Sequence, residues 1–162
     1  MCAVAAALVE MATRFTIARE EYAQSHERMA KIEVRAGELR RRSLELADTE
    51  LHAFEPVLEA LRLPRDDPER TVRVEKARAQ ASQSPLAIAK VAAELAELAA
   101  ETVRSGNVNL AGDAITAALI AEAAAQAAAR LVVINLTDGP AVAEAVDVAR
   151  RALAARNQTV TR

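Results

Sequence analysis

SGNVNLAGDAITAALIAEAAAQAAARLVVINL, residues 105–136, is the stretch whose reading decides the fold. From Ala111 onward it is dominated by alanine, the strongest helix former, and carries no proline. Only Val132-Val133-Ile134 is β-prone, and its flanks keep it helical. The segment is long enough to span a bilayer, but Asp113, Glu122, Gln126, Arg130 and Asn135 make it too polar. It reads instead as a helix buried inside a bundle. The break before it, residues 105–113, holds two asparagines, two glycines and an aspartate. A plain turn needs only Gly106 as a left-handed residue closing one helix, and Asn109 or Asp113 capping the next. Asn107 and one of Asn109 and Asp113 are then left without a structural task. Open N–H groups at a helix start favour an anionic or carbonyl-rich ligand, so the break is a candidate binding site.

Working outward, the rare prolines and glycines fall at boundaries. A first helix is expected from Ala3 to the low twenties, running on without a breaker into a second long region that ends near Arg62. Residues 63–68 form a turn, with Asp67 as cap and Pro68 at the first helical position. The next helix reaches Arg104 and is kinked near Ser84-Pro85. A turn at Thr137-Asp138-Gly139-Pro140 precedes a last helix, Pro140 to Arg156. The sequence therefore predicts an all-α protein, an elongated bundle of about five helices. One domain spans residues 1–156, and residues 157–162 form a loose tail.

The second region carries a seam. Ile32, Ala36, Leu39, Ser43, Leu46, Glu50, Ala53 and Val57 are spaced alternately by four and three, a heptad-like buried face. Leu44, Ala47, Leu51, Phe54, Leu58 and Leu61 keep the same rhythm beside it. Glu50 is the anomaly, because a carboxylate on a buried stripe needs a partner or a special use.

Composition excludes several functions. Aromatic residues make up 2% of the chain, too few for stacking on single-stranded nucleic acid. A net charge of −2 gives no basic footprint for DNA or RNA. The single cysteine, Cys2, rules out an internal disulfide and a cysteine-zinc site, and points to a reduced, cytoplasmic setting. No metal is expected: a di-iron bundle needs Glu-x-x-His pairs, whereas His52 follows Glu50 by two and His26 has no such partner. No G-x-S-x-G elbow or glycine-rich phosphate motif is present. Any chemistry must rest on carboxylates, amides and helix ends.

These residues, taken in order, resemble the cyclodeaminase/cyclohydrolase family. The match is carried by G-N-V-N-L-A-G-D-A-I-T-A-A-L-I-A-E-A-A (106–124), V-V-I-N-L (132–136), L-A-D-T-E-L-H-A-F-E (46–55), L-R-L-P-R (61–65), S-P-L-A-I-A (84–89) and A-A-A-L-V-E-M-A-T-R-F-T (5–16). The resemblance implies an all-α homodimer in the cytoplasm that takes a tetrahydrofolate derivative as substrate. It implies no tightly bound cofactor, no nucleic acid and no membrane. The chemistry implied is at the one-carbon bridge between N5 and N10, either methenyltetrahydrofolate cyclohydrolase or formimidoyltetrahydrofolate cyclodeaminase. A catalytically silent helical dimer that binds a ligand or partner helix is the competing reading.

Carried over by position, Glu50 falls on the aspartate of the family's D-x-x-A-F element, and Asp113 on the aspartate after its G-N-x-N loop. These two are the expected catalytic residues. Asn107 and Asn109 fall on the asparagines of that loop, Asn135 on the asparagine of I-N-L, and Arg62 in the R-L-P element. These four are the expected substrate-binding residues. The chain departs from the pattern at Glu50 (for aspartate), at Gly112 (for serine), and at Leu131 and Val133 (for asparagine and arginine). The family's opening P-G-G-G-S segment would end where Met1-Cys2 stands.

Overall fold

The computed structural model describes residues 1–160. Among them are seven α-helices and no strand: α1 (Cys2–Ile17), α2 (His26–Ala53), α3 (Glu55–Leu61), α4 (Arg70–Ala81), α5 (Gln83–Ser105), α6 (Ala111–Asn135) and α7 (Pro140–Asn157). The five long ones, α1, α2, α5, α6 and α7, are the expected bundle. Three boundaries differ from the sequence reading. A 3-10 segment, Glu20–Ser25, separates α1 from α2, entered through the extended backbone of Arg19. Pro56 has no N–H to donate, and the second region splits at Phe54 into α2 and α3. The kink expected at Ser84-Pro85 is a break one turn earlier, at Ser82. Pro85 then sits in the first turn of α5, where its missing N–H leaves no carbonyl unpaired.

Charged side chains on the helix faces report how the helices run. Arg28 pairs with Glu101 and Arg35 with Glu94, so α2 and α5 are antiparallel. Lys90 with Glu144, Glu97 with Arg151, and Arg104 with Gln158 advance by the same step on both helices, so α5 and α7 run parallel. Such exposed pairs stabilise little, but they mark register.

The core is built largely of alanine. Ala5 and Ala6 of α1, Ala92, Ala96 and Ala99 of α5, and Ala117, Ala118, Ala121 and Ala125 of α6 are fully buried around Met29, Val9 and Leu95. Alanine at a contact lets helix axes approach toward the short end of the usual ~8–10 Å. The expected seam of α2 is present: Ile32, Ala36, Leu39, Leu46 and Val57 are buried, and Ser43, Glu50 and Ala53 are half-buried. The neighbouring stripe is exposed at Leu44, Leu51, Phe54, Leu58 and Leu61. Helices α3 and α4 form a hairpin with its own small core of Val57, Ala60, Val74, Ala77 and Ala81.

The stretch Val108–Asn135 is apolar and long enough to cross a membrane by length and composition. In the fold, α6 packs against α1, α5 and α7. The tail expected to be loose from Asn157 is instead ordered through Val160. Thr159 is buried, and its hydroxyl donates to the Arg156 carbonyl at 2.7 Å. Residues 161–162 of that tail lie outside the described residues.

Candidate functional site

A cavity of about 350 Å³ opens between the start of α1, the second half of α2, α5 and α6. Its walls are apolar: Leu46 and Ala47 from α2, Ile88 and Val91 from α5, and Ala124, Ala128 and Leu131 from α6. Three polar side chains face it, from Cys2, Ser43 and Glu50. The Ser43 hydroxyl is spent locally, donating to the Leu39 carbonyl at 2.7 Å. Burial pushes the Cys2 thiol up, which keeps it protonated and unreactive. Glu50 is the one charged side chain among the described residues of this lining. Its Oε2 is buried and has no hydrogen-bond partner. A buried carboxylate oxygen without a donor is costly, and in a cleft of this size it is the group available to a ligand.

The helix periodicity explains why Glu50 is there. It lies on the same α2 stripe as Leu39 and Leu46, one turn beyond Leu46, so the seam that packs the bundle aims Glu50 inward. Where that seam would next bury an apolar residue, the bundle leaves a cavity.

A second, charged groove of about 480 Å³ lies between α2 and α5 and shares Val91 with the first cavity. Most of its charges neutralise one another: Arg35 with Glu94 and Glu38, Arg42 with Glu45, and Lys90 with Glu144. Arg41 lines it without an ion-pair partner among the described residues.

The break at residues 105–113 does a different job from the one expected. Gly106 is not left-handed; its backbone is extended, with φ −95°. It must be glycine because a Cβ there would lie 2.5 Å from the Thr102 carbonyl oxygen. The cap is Asn107, not Asn109 or Asp113. Its Oδ1 accepts from the Asn109 N–H at 2.9 Å and from the Tyr22 hydroxyl at 3.3 Å. Its own N–H donates to Thr16 Oγ1 at 3.0 Å. Asn107 therefore fastens this corner to α1 and to the 3-10 segment, and its amide oxygen is already engaged.

The same corner is held by Glu101, which accepts from Ser105 at 3.0 Å and pairs with Arg104 and with Arg28. Burial pushes the Glu101 carboxyl up, but those hydrogen bonds and charges outweigh it and hold it below the ordinary 4.5. A carboxyl depressed by folding stabilises fully above its unfolded value, and that contribution is lost as pH falls through the lower folded value. Amide exchange at residues 105–110 should therefore accelerate selectively below about pH 4.5, and Glu101→Gln should remove most of that pH dependence. An unchanged pH profile in the variant would show that Glu101 does not hold the corner.

The remaining expected residues are scattered. Asp113 is half-buried in the first turn of α6, and Asn109 is exposed beside it. Asn135 ends α6, half-buried. Arg62 is exposed after α3. None of the four, nor Asn107, lines the Glu50 cavity. Along α6, Asp113 lies roughly 16–27 Å from the residues that do, at 1.5 Å rise per residue. One chain does not bring Glu50 and Asp113 together. Sequence reasoning missed Cys2, Ile88, Val91 and Leu131 as cavity walls, since none carries chemistry of its own. Among the described residues, no cluster of three His, Cys, Asp or Glu side chains could hold a metal ion.

A family model described as formiminotransferase-cyclodeaminase matches residues 1–152. The chain belongs to this family. It is 31% identical over 137 residues to a methenyltetrahydrofolate cyclohydrolase of Methylorubrum extorquens, covering 82% of this chain and 66% of that protein. The chain thus spans just under two thirds of that relative's length. The fold is similar to the crystal structure of formiminotetrahydrofolate cyclodeaminase from Thermotoga maritima, with a TM-score of 0.86 and 25% identity over 98% of this chain and 80% of that one. Membership in the formiminotransferase-cyclodeaminase family agrees with the resemblance carried by residues 46–55 and 106–136. The relatives' names both point to tetrahydrofolate.

Proposed function

We propose that this chain acts on the one-carbon unit bridging N5 and N10 of a reduced folate, with Glu50 as the proton-transfer group. The observation that carries the reading is the unpartnered, buried Glu50 Oε2 in an apolar cavity. The family and both named relatives support the substrate class.

The chemistry fits such a site. In the cyclohydrolase direction, water adds to the bridging carbon of the 5,10-methenyl cation and loses a proton. The carbon–N5 bond of the tetrahedral intermediate then breaks as N5 is protonated, leaving 10-formyl-tetrahydrofolate and one net proton. In the cyclodeaminase reaction, N10 adds to the formimidoyl carbon and a protonated amine leaves as ammonia. Either route needs one group that accepts a proton and returns it, held close to the bridging carbon. A carboxylate also stabilises the cationic methenyl state, more strongly where water is excluded. The cavity has room for the fused rings, and Arg41 in the adjoining groove is a cation for the carboxylates of the glutamate tail.

A homodimer belongs to the same proposal. The exposed stripe Leu44, Leu51, Phe54, Leu58, Leu61 and the exposed Leu119, Leu131 and Ile134 of α6 are apolar surface that a second copy would cover.

The test has two arms. The protein is added to 5,10-methenyl-tetrahydrofolate, whose near-ultraviolet absorbance is followed against buffer. Separately, 5-formimidoyl-tetrahydrofolate is supplied and released ammonia is measured. Turnover in the first arm identifies a cyclohydrolase and in the second a cyclodeaminase. Rates equal to the blank in both arms would overturn the proposal.

A further inference from the structure

From the lining of the Glu50 cavity we infer that the site is a receptor for planar, delocalised cations of the amidinium class, with no need of a folate skeleton. The inference goes past the substrate named above to the charge and shape that the cavity selects. Its biological ligand rests on the folate reading; its chemistry does not.

The polar side chains of the lining accept hydrogen bonds and offer almost none. Glu50 brings a carboxylate, and no cation of the protein pairs with it among the described residues. The Met1 amino group at the rim makes no hydrogen bond to Oε2. Ser43 stands two turns earlier on the same face of α2. Its one hydrogen goes to the Leu39 carbonyl, so only its lone pairs remain for a ligand. The Cys2 thiol is a weak donor. Among the described residues, no lysine, arginine, histidine, asparagine or glutamine lines the cavity. A ligand that brings an anion or a carbonyl therefore finds little to donate to it. One that brings positive charge finds an unneutralised carboxylate.

The rest of the wall decides which cation. Leu46, Ile88, Val91, Ala124 and Leu131 offer contact but no side-chain oxygen or nitrogen. A metal ion or a compact ammonium would give up a full hydration shell there and regain one ligand, which is unfavourable. A planar amidinium spreads its charge over N–C–N, is weakly hydrated as a guanidinium is, and has flat faces to lay against those walls. No Phe, Tyr or Trp lines the cavity among the described residues, so the attraction is to the carboxylate and not to a ring face. Apolar surroundings strengthen it, because little solvent screens the pair. The folate chemistry contains the same ion. The 5,10-methenyl bridge is an amidinium, N5–CH–N10, and a protonated 5-formimidoyl group is another. 10-Formyl-tetrahydrofolate is a neutral amide at the same carbon. Hydrolysis thus removes the charge that holds the ligand and clears the cavity, whereas ring closure with loss of ammonia leaves a cation still paired with Glu50.

The inference is tested without reference to activity by two probes of one shape. 1,3-Dimethylbenzimidazolium is a fused amidinium with no N–H, and 1,3-dimethylindole is its neutral counterpart. Each is titrated into the wild-type chain, with binding read from the methyl resonances of Ile88 and Leu131 in the cavity wall. The cation should bind at least about tenfold more tightly than the indole, as a poorly screened charge pair requires. Methylammonium at the same concentration should not displace it; displacement would overturn the delocalised class. Glu50→Gln, nearly the same in size, should bring the two affinities together, and its methyl spectrum reports whether the fold is intact. Equal affinities in the wild type, which needs no variant to be seen, would overturn the inference, as would a cation preference that survives in folded Glu50→Gln. A wild type that turns over neither folate yet keeps the preference would remove the folate reading and leave the receptor standing. Folate turnover with equal probe affinities would do the reverse.

Discussion

Glu50→Gln should lower kcat by about 10²–10⁴ with little change in KM, the loss typical when a positioned proton-transfer group is removed. Glutamine fills the same space in the cavity and still contacts a bound ring, but it cannot take a proton from water or return one. A variant retaining turnover within about threefold of wild type would sink Glu50 as the catalytic group. A companion substitution separates function from stability. Glu50→Met replaces an acceptor that has no donor with an apolar side chain of similar volume, among Leu46, Ile88 and Leu131. Leaving a buried polar atom unsatisfied costs about 1–3 kcal/mol, so this inactive variant should melt a few degrees higher than wild type. Sites kept for chemistry are where such a gain is expected. A lower Tm would show that water or a neighbour satisfies Oε2 in solution.

Gly106→Ala should be among the most destabilising single changes in the chain. The new Cβ would sit 2.5 Å from the Thr102 carbonyl oxygen, a backbone atom that cannot swing aside. That same oxygen accepts the Gly106 N–H at 2.9 Å, so the clash and the hydrogen bond share one acceptor. Relief requires the end of α5 to open, which draws Asn107 away from Thr16 and Tyr22. Overpacking of about 1–3 kcal/mol, with a further ~1 kcal/mol for a weakened hydrogen bond, predicts a Tm lower by roughly 5–10 °C. Gly112→Ala is the internal control. Its Cβ meets nothing within 4 Å, and the residue is in α6, so alanine there should be neutral or slightly stabilising. Equal melting temperatures for the two variants would refute the steric account of the corner.

The long helices were legible because their signals are local. The seam from Ile32 to Val57 could be counted along the chain, and the same count made Glu50 conspicuous. The break at Phe54 was missed because Pro56 sits in otherwise unbroken helical text, and proline at a first turn and proline in an interior look alike without neighbours. The corner at residues 105–110 was recognised as special, but its purpose was not readable. What fixes Asn107 is Tyr22 and Thr16, contributed from the other end of the chain. Gly106 suited a left-handed turn by residue type, whereas the constraint is a distance to one carbonyl. Glu50 and Asp113 were paired because both are acids at matching positions. No periodicity says that the Glu50 cavity lies against the C-terminal half of α6, away from Asp113 in its first turn.

Met1 and Cys2 stand at the rim of the Glu50 cavity, which bears on how the protein should be prepared. Whatever is joined ahead of Met1 emerges at the mouth of the pocket. A histidine-rich purification leader would hang its imidazoles and any scavenged nickel over the opening of that cavity. Handles belong beyond α7, and a preparation that seems inert should be assayed again after its leader has been cleaved.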